Sequence, residues 1–279
     1  MYWLHALTPL HVGAGRGVGF IDLPVAREKV TGWPLAPGSG IKGVLADHHK
    51  ATDENRKING KLSAAFGRGG EDLSNSGALV FTDARIVCLP VRSLYGTFAW
   101  VTSPLALRRM ARDLENVKPA NSPTAFPEVG AANELHVPEK ASALGAPIAY
   151  FEDLDFTVTL DSVAGKWATF IAETVFTDDF PWRGLFEQRF GVVADDVFNF
   201  LCETATEVNA RVRIDDDSKI VAKGTILAGL VSCEWVTNKS HAPSDLLKDY
   251  CETALTLQMG GKATTGKGTV RCVFQGGNG

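Results

Sequence analysis

The sequence predicts an α+β fold on a ferredoxin-like β-α-β-β-α-β core, and three observations carry that prediction. The chain opens on alternating apolar and polar residues, YWLHALTPLHVG, which dissolve into glycine before a helical pattern starts near Ser39. Two strand-like runs stand further on, ALVFTDARIVCLPVRS at 78–93 and GTFAWVTSP at 96–104. The chain closes on a helix, SDLLKDYCETAL at 244–255, then a glycine-rich loop and a final strand. At 279 residues and with no fixed-period repeat, the chain reads as a single domain with a sizeable core.

Each element has a local cause. Pro34, Pro37 and Gly38 hold the first loop open until SGIKGVLADHHK, where Ile41, Val44 and Leu45 share a helical face and Ser39 is placed to cap it. Residues 51–76 are polar and glycine-rich and read as irregular or a short helix. Pro90 is expected to break the strand at 78–93. LALRRMARDLEN at 105–116 keeps its arginines on one side, which predicts a helix. The proline-rich stretch 117–150 has no period and reads as an insertion or long loop. FTVTLDS at 156–162 reads as a strand and 181–205 as helical, so the expected insertion covers about 117–205. EVNARVRIDDDSKIVAKGTILAGLVSCEW, 207–235, has two strand-like arms around an Asp-Asp-Asp-Ser turn, the pattern of a projecting hairpin. SDLLKDYCETAL starts on a Ser-Asp cap.

Composition narrows the function classes. Hydrophobic content of 45% and charge of 22% are those of an ordinary globular protein. There is no apolar run of membrane-spanning length and no signal-peptide pattern, so a cytoplasmic protein without a membrane partner is expected. The five cysteines are scattered without a C-x-x-C pair, which suits buried thiols rather than a disulfide framework or a zinc site. Net charge is −4, yet residues 149–203 hold eleven acids and three basic residues, which leaves +4 for the remainder. That remainder is free to hold a polyanion.

Several stretches are fit for chemistry. Gly13, Gly15, Gly17 and Gly19 form G-x-G-x-G-x-G, neither a Rossmann nor a Walker pattern, and GGKATTGKG at 260–268 leads into a strand rather than a helix. Both loops serve as flexible turns or offer N–H groups to a phosphate backbone, and the second carries Lys262 and Lys267 without an acid. Ser39, Gly40 and Lys42 at a helix start make either an anion site or an ordinary cap. Asp22, set between apolar residues in FIDLPV, is a turn residue or a carboxylate that holds a divalent cation, a water or a 2′-hydroxyl. His11 is a packing residue or a proton donor. Arg211 and Arg213 on the hairpin contact phosphates or pair with the neighbouring acids.

Taken together and in order, HVGAG, FIDLPVAREKVTGWP, PGSGIKGVL, VRSLYGTFAWVTSPLALRR, RVRIDDDSKIVAKG and GGKATTGKGTVR resemble the repeated backbone subunit of the type III-B CRISPR effector, the Cmr complex, within the RAMP superfamily. The resemblance spans nearly the whole chain, with 117–200 unplaced. It implies an RRM-like hand with 207–235 as a thumb that displaces a nucleotide at every sixth position. The partners it implies are crRNA, complementary target RNA, further copies of the chain and other Cmr subunits. It implies that Asp22 is the catalytic aspartate and cation holder, with Mg2+ or Mn2+, and that His11 is the matching histidine. Gly13, Gly15, Ser39, Gly40, Lys42, Arg211, Arg213, Lys262 and Lys267 would bind RNA. The implied reaction is cleavage of guide-paired target RNA, leaving 2′,3′-cyclic phosphate and 5′-hydroxyl ends; an architectural subunit without nuclease activity is the alternative. Glu234 and Trp235 are the nearest match to a Glu and aromatic beyond the thumb, in uncertain register.

Overall fold

The computed structural model describes residues 1–13, 25–68, 75–204, 222–233, 236 and 241–276, and the backbone of 207–208 and 219–220. Eight α-helices run among them: α1 Gly38–His48, α2 Asp53–Ile58, α3 Gly60–Phe66, α4 Pro104–Leu114, α5 Ser162–Val175, α6 Phe180–Gln188, α7 Asp195–Thr204 and α8 Pro243–Cys251. Four strands form the core: Tyr2–Ala6, Ala84–Arg92, Ile226–Gly229 and Thr269–Phe274. They lie in the order fourth, first, third, second, all antiparallel, with α1 after the first and α8 after the third. That is the ferredoxin-like arrangement.

The core strands are buried on both faces. Tyr2, Leu4 and Ala6 meet Ile41 and Leu45 of α1 and Leu246 of α8. Trp3 points the other way, into a cluster with Leu107 and Met110 of α4 and Trp167 and Phe170 of α5. All five residues of Tyr2–Ala6 are therefore buried, and alternation there marks two different cores rather than core and solvent.

Where a ferredoxin-like fold closes a hairpin between its second and third strands, this chain runs from residue 93 to 225. The connection extends the sheet with Phe98–Thr102, Phe190–Val192, Glu134–Val137, Leu154–Leu160 and Ile148–Phe151, in that spatial order. Glu134–Val137 and Ile148–Phe151 lie within the stretch read as periodless loop, and 181–205 is two helices separated by Phe190–Val192. Helix α5 falls between the stretches read from sequence as a strand and as helical; Asp161 starts it by accepting from the Val163 N–H at 2.7 Å. Residues 51–76 hold α2 and α3, capped by Thr52 and Asn59.

Pro90 does not break its strand. It stands opposite Trp100, whose N–H turns away to the Arg189 carbonyl, and the pairing of Ile226–Gly229 on its other side ends at Cys88. No ladder bond is asked of the missing N–H. The hairpin is shorter than 207–235: Glu207–Val208 pairs with Lys219–Ile220, while Ile226–Gly229 is a core strand against Tyr2–Ala6.

Candidate nucleic-acid interface

The two glycine-rich loops meet at His11. Val12 accepts from the Ala26 N–H at 2.8 Å and Gly13 bridges Val25, closing the neck of the loop that contains Gly15 and Asp22. Those two residues lie outside the described chain. Beneath the neck, the His11 carbonyl accepts from the Gly261 N–H at 2.9 Å and Pro9 accepts from Gly268 at 2.9 Å. The His11 side chain is 1% exposed, and a Cβ on Gly261 would stand 3.1 Å from its Nδ1. His11 is thus a buried joint between the loops, held next to the chain that leads to Asp22. Lys262 and Lys267 lie half-buried on the turn this joint anchors.

The outgoing arm of the first loop is braced by the insertion. Residues 26–35 fold back on themselves, with Leu35 N–H donating to Ala26 and Glu28 N–H to Trp33. Trp33 Nε1 donates to Asn199 of α7 at 2.9 Å, and its ring packs on Phe198 and under Arg109 of α4. Burial works against the Glu28 charge, but hydrogen bonds from Thr31 and Arg109 outweigh it and hold the carboxyl below the usual range.

Helix α1 stands on the same side, since Ile41 and Leu45 share one apolar cluster with Val12, Val25, Leu257 and Met259. It starts two residues earlier than expected: Pro37 occupies the cap, Ser39 lies inside the first turn, and Asp83 accepts from the Gly38 N–H at 2.9 Å. That carboxylate already offsets part of the positive helix end. Ser39 and Gly40 are exposed, and nothing lies within 4 Å of a Cβ placed on Gly40. Lys42 donates to the Gly77 carbonyl at 3.3 Å; burial, and then Arg56, lower its pKa. The structure therefore groups His11 and Gly13 with the turn that carries Lys262 and Lys267, while Ser39, Gly40 and Lys42 stand on α1, where Lys42 turns to Gly77. Arg211, Arg213, Glu234 and Trp235 lie outside the described residues.

Sequence reasoning missed a further feature at the root of the hairpin. A cavity of about 800 Å³ opens between the end of the first strand, α6 and residues 222–224. No local motif announces it, because Trp100, Phe176 and Trp182 come together from separate elements. His5 lies at its inner wall, edge-on to Phe176, with its pKa lowered to about 4 by burial and then by Arg271 and Lys223. An unfolded histidine titrates near 6.5, so the unfolded chain binds the extra proton first as pH falls. Stability from this group is present above about pH 6.5 and is lost toward pH 4, by about 2 kcal/mol at pH 5. Urea unfolding at pH 7 and pH 5 should show that loss, and His5→Gln should reduce it; an equal loss in the variant removes His5 as its source.

The RAMP superfamily model matches residues 3–271. The chain belongs to the RAMP superfamily. Among RAMP relatives, the chain is 32% identical over 292 aligned residues to the CRISPR system Cmr endoribonuclease Cmr4 of Pyrococcus furiosus, covering 98% of this chain and 94% of that one. The crystal structure of oligomeric Cmr4 from Pyrococcus furiosus superposes with a TM-score of 0.75 at 28% identity, covering 97% and 95% of the two chains. A chain of the type III-B Cmr-beta complex bound to cognate target RNA shares the fold, with a TM-score of 0.63 at 16% identity over 98% and 95%.

Among the described residues, no group of three or more His, Cys, Asp or Glu side chains could hold a metal ion, and no helix is long and apolar enough to cross a membrane. The cysteines are free thiols, and burial pushes Cys202 up to about 12 and Cys88 and Cys272 higher. They are inert packing groups.

Proposed function

We propose that this RAMP protein is the repeated backbone subunit of a type III-B CRISPR effector, which binds crRNA and cleaves complementary target RNA at six-nucleotide intervals in the cytoplasm. The observation that carries the reading is the near full-length match to a relative named a Cmr endoribonuclease. Copies of the chain, crRNA, target RNA and other Cmr subunits are its partners in this reading. Base pairing supplies sequence specificity, so the protein needs only backbone and shape contacts, and exposed glycines with a few lysines suffice.

Cleavage runs through the RNA itself. The 2′-hydroxyl oxygen bonds to the adjacent phosphorus, its proton leaves to a base, and the P–O5′ bond breaks with protonation of the departing oxygen. A 2′,3′-cyclic phosphate and a 5′-hydroxyl result. A continuous A-form helix keeps attacking and leaving oxygens out of line, whereas a displaced nucleotide turns toward in-line geometry. Asp22 orients the 2′-hydroxyl, and His11 fixes the base of its loop through the main-chain bond to Gly261. Asp22 would hold Mg2+ or Mn2+, which would screen charge on the phosphate.

The test is target RNA labelled at one end, added to the complex assembled with guide RNA. Cuts six nucleotides apart that need a complementary guide, and that stop on chelation and return with Mg2+, support the reading. Guide binding without cuts supports the architectural subunit instead. Cleavage of free repeat RNA by the isolated chain would make it a guide-processing enzyme. Cutting that persists under chelation removes the cation alone.

A further inference from the structure

The cavity at the hairpin root is more than a gap between layers. Thr204, where α7 leads toward the hairpin, and Ala222, where the chain returns, both line it, so the hairpin rises from its rim. Its walls are flat and aromatic: the rings of Phe176 and Trp182 lie 6.2 Å apart and 17° from parallel, with Trp100 edge-on to both. Trp182 is 41% exposed, an unusual position for so large an apolar ring. Trp100 is fixed in place by donating from Nε1 to the Gly224 carbonyl at 2.8 Å, which ties the wall to the hairpin root.

The charged residues lining the cavity are three basic, Arg92, Lys223 and Arg271, and two acidic, Glu152 and Asp179. Lys223 is exposed at the rim. Arg271 stands 3.8 Å from the exposed Asp178 in an ion pair. Of the acids lining the cavity, Glu152 is taken by Arg92 at 2.6 Å, and Asp179 accepts from the Trp182 N–H to cap α6. Burial, and then Arg271 and Lys223, hold His5 in its neutral form beside them. Aromatic faces with a cationic rim suit a planar ring that carries negative charge, and the volume lies within the range of about 300–1,000 Å³ typical of small-ligand sites.

We propose that this cavity receives a single unpaired nucleotide extruded from the RNA bound by the protein, its base against Trp182 and Phe176 and its phosphate toward Lys223 and Arg271. The proposal rests on the function reading above and deepens it, since it gives the nucleotide displaced beside the hairpin a place to go. An extruded base that is stacked stays out of the helix, and its backbone stays open for attack. Guide and target strands present the same chemistry, so strand identity is left to the experiment.

The test uses the complex assembled on guide RNA with 4-thiouridine at the sixth-position nucleotides of either the guide or the target strand. Near-ultraviolet crosslinks are mapped by mass spectrometry. Crosslinks on peptides that carry Phe176, Trp182 or Lys223 support the proposal, and the labelled strand that gives them identifies the source. Lys223→Ala and Trp182→Leu should each lower that yield about tenfold. Lys223 lies exposed on the surface, so its variant answers even where Trp182→Leu disturbs packing. Target cuts at six-nucleotide spacing with crosslinks confined to other segments, or to a neighbouring copy, overturn the cavity assignment and leave the function reading standing. Crosslinks unchanged in both variants also overturn it. Failure to bind guide RNA overturns both together, whereas cavity crosslinks without target cuts support the pocket and overturn only the nuclease reading.

Discussion

Asp22→Ala should abolish target cutting while leaving guide binding, assembly and folding unchanged. Loss of a group that positions or activates a reacting hydroxyl costs about 10²–10⁴-fold in rate. The effect belongs at the upper end if Asp22 also holds a cation. Folding should be indifferent, because the loop is closed below Asp22 by the Val12–Ala26 bond and the Gly13–Val25 bridge, which rely on main chain alone. Single-turnover cleavage, with guide affinity and the melting midpoint measured in parallel, separates these effects. Unchanged cutting would return Asp22 to an ordinary turn residue.

Gly260→Ala should carry the largest stability cost of any one-atom addition in the candidate interface. Gly260 has φ +75°, and a Cβ there would lie 2.0 Å from the His11 carbonyl oxygen. A left-handed non-glycine residue costs about 1–2 kcal/mol, and moving backbone to relieve the overlap about 1–3 more. The expected fall in melting midpoint is roughly 5–10 °C. Movement there also strains the Gly261–His11 bond, so guide binding and cutting should weaken together. Gly40→Ala serves as the contrast: it has open space and an ordinary helical backbone, so its stability should hold or rise slightly. Equal melting of Gly260→Ala and the parent protein would contradict the docking of the two loops.

The legible parts of the fold were those with short-range signals. Ile41 and Leu45 at helical spacing, the arginine-faced α4, and the glycine-rich loop with the final strand ending at Phe274 all announce themselves locally. Within the insertion, Glu134–Val137, Ile148–Phe151 and α5 did not, because their order comes from distant partners. Glu134–Val137 becomes a strand by pairing with Leu154–Leu160, and α5 is held by burying Trp167, Phe170 and Ile171 in the cluster around Trp3 of the first strand. Residues 226–229 looked like a hairpin arm because a buried central strand and an exposed arm share β-branched and small residues; only the partner distinguishes them.

The site divides in the same way. Glycine runs and the lysines of 260–268 were visible, but their junction at His11 needed the final hairpin to fold back on the first strand. The cap at α1 was misread because the carboxylate that satisfies Gly38 comes from Asp83, 45 residues away in sequence. The aromatic cavity was invisible for the same reason: Trp100 and Trp182 sit on separate elements, and neither has a motif around it.

The most direct test of the account is the end chemistry of the target fragments cut by the assembled, guide-loaded complex. Attack by the RNA's own 2′-hydroxyl at displaced nucleotides predicts 2′,3′-cyclic phosphate and 5′-hydroxyl ends, repeated every six nucleotides. Fragments ending in 3′-hydroxyl and 5′-phosphate, or cuts without that spacing, would contradict it.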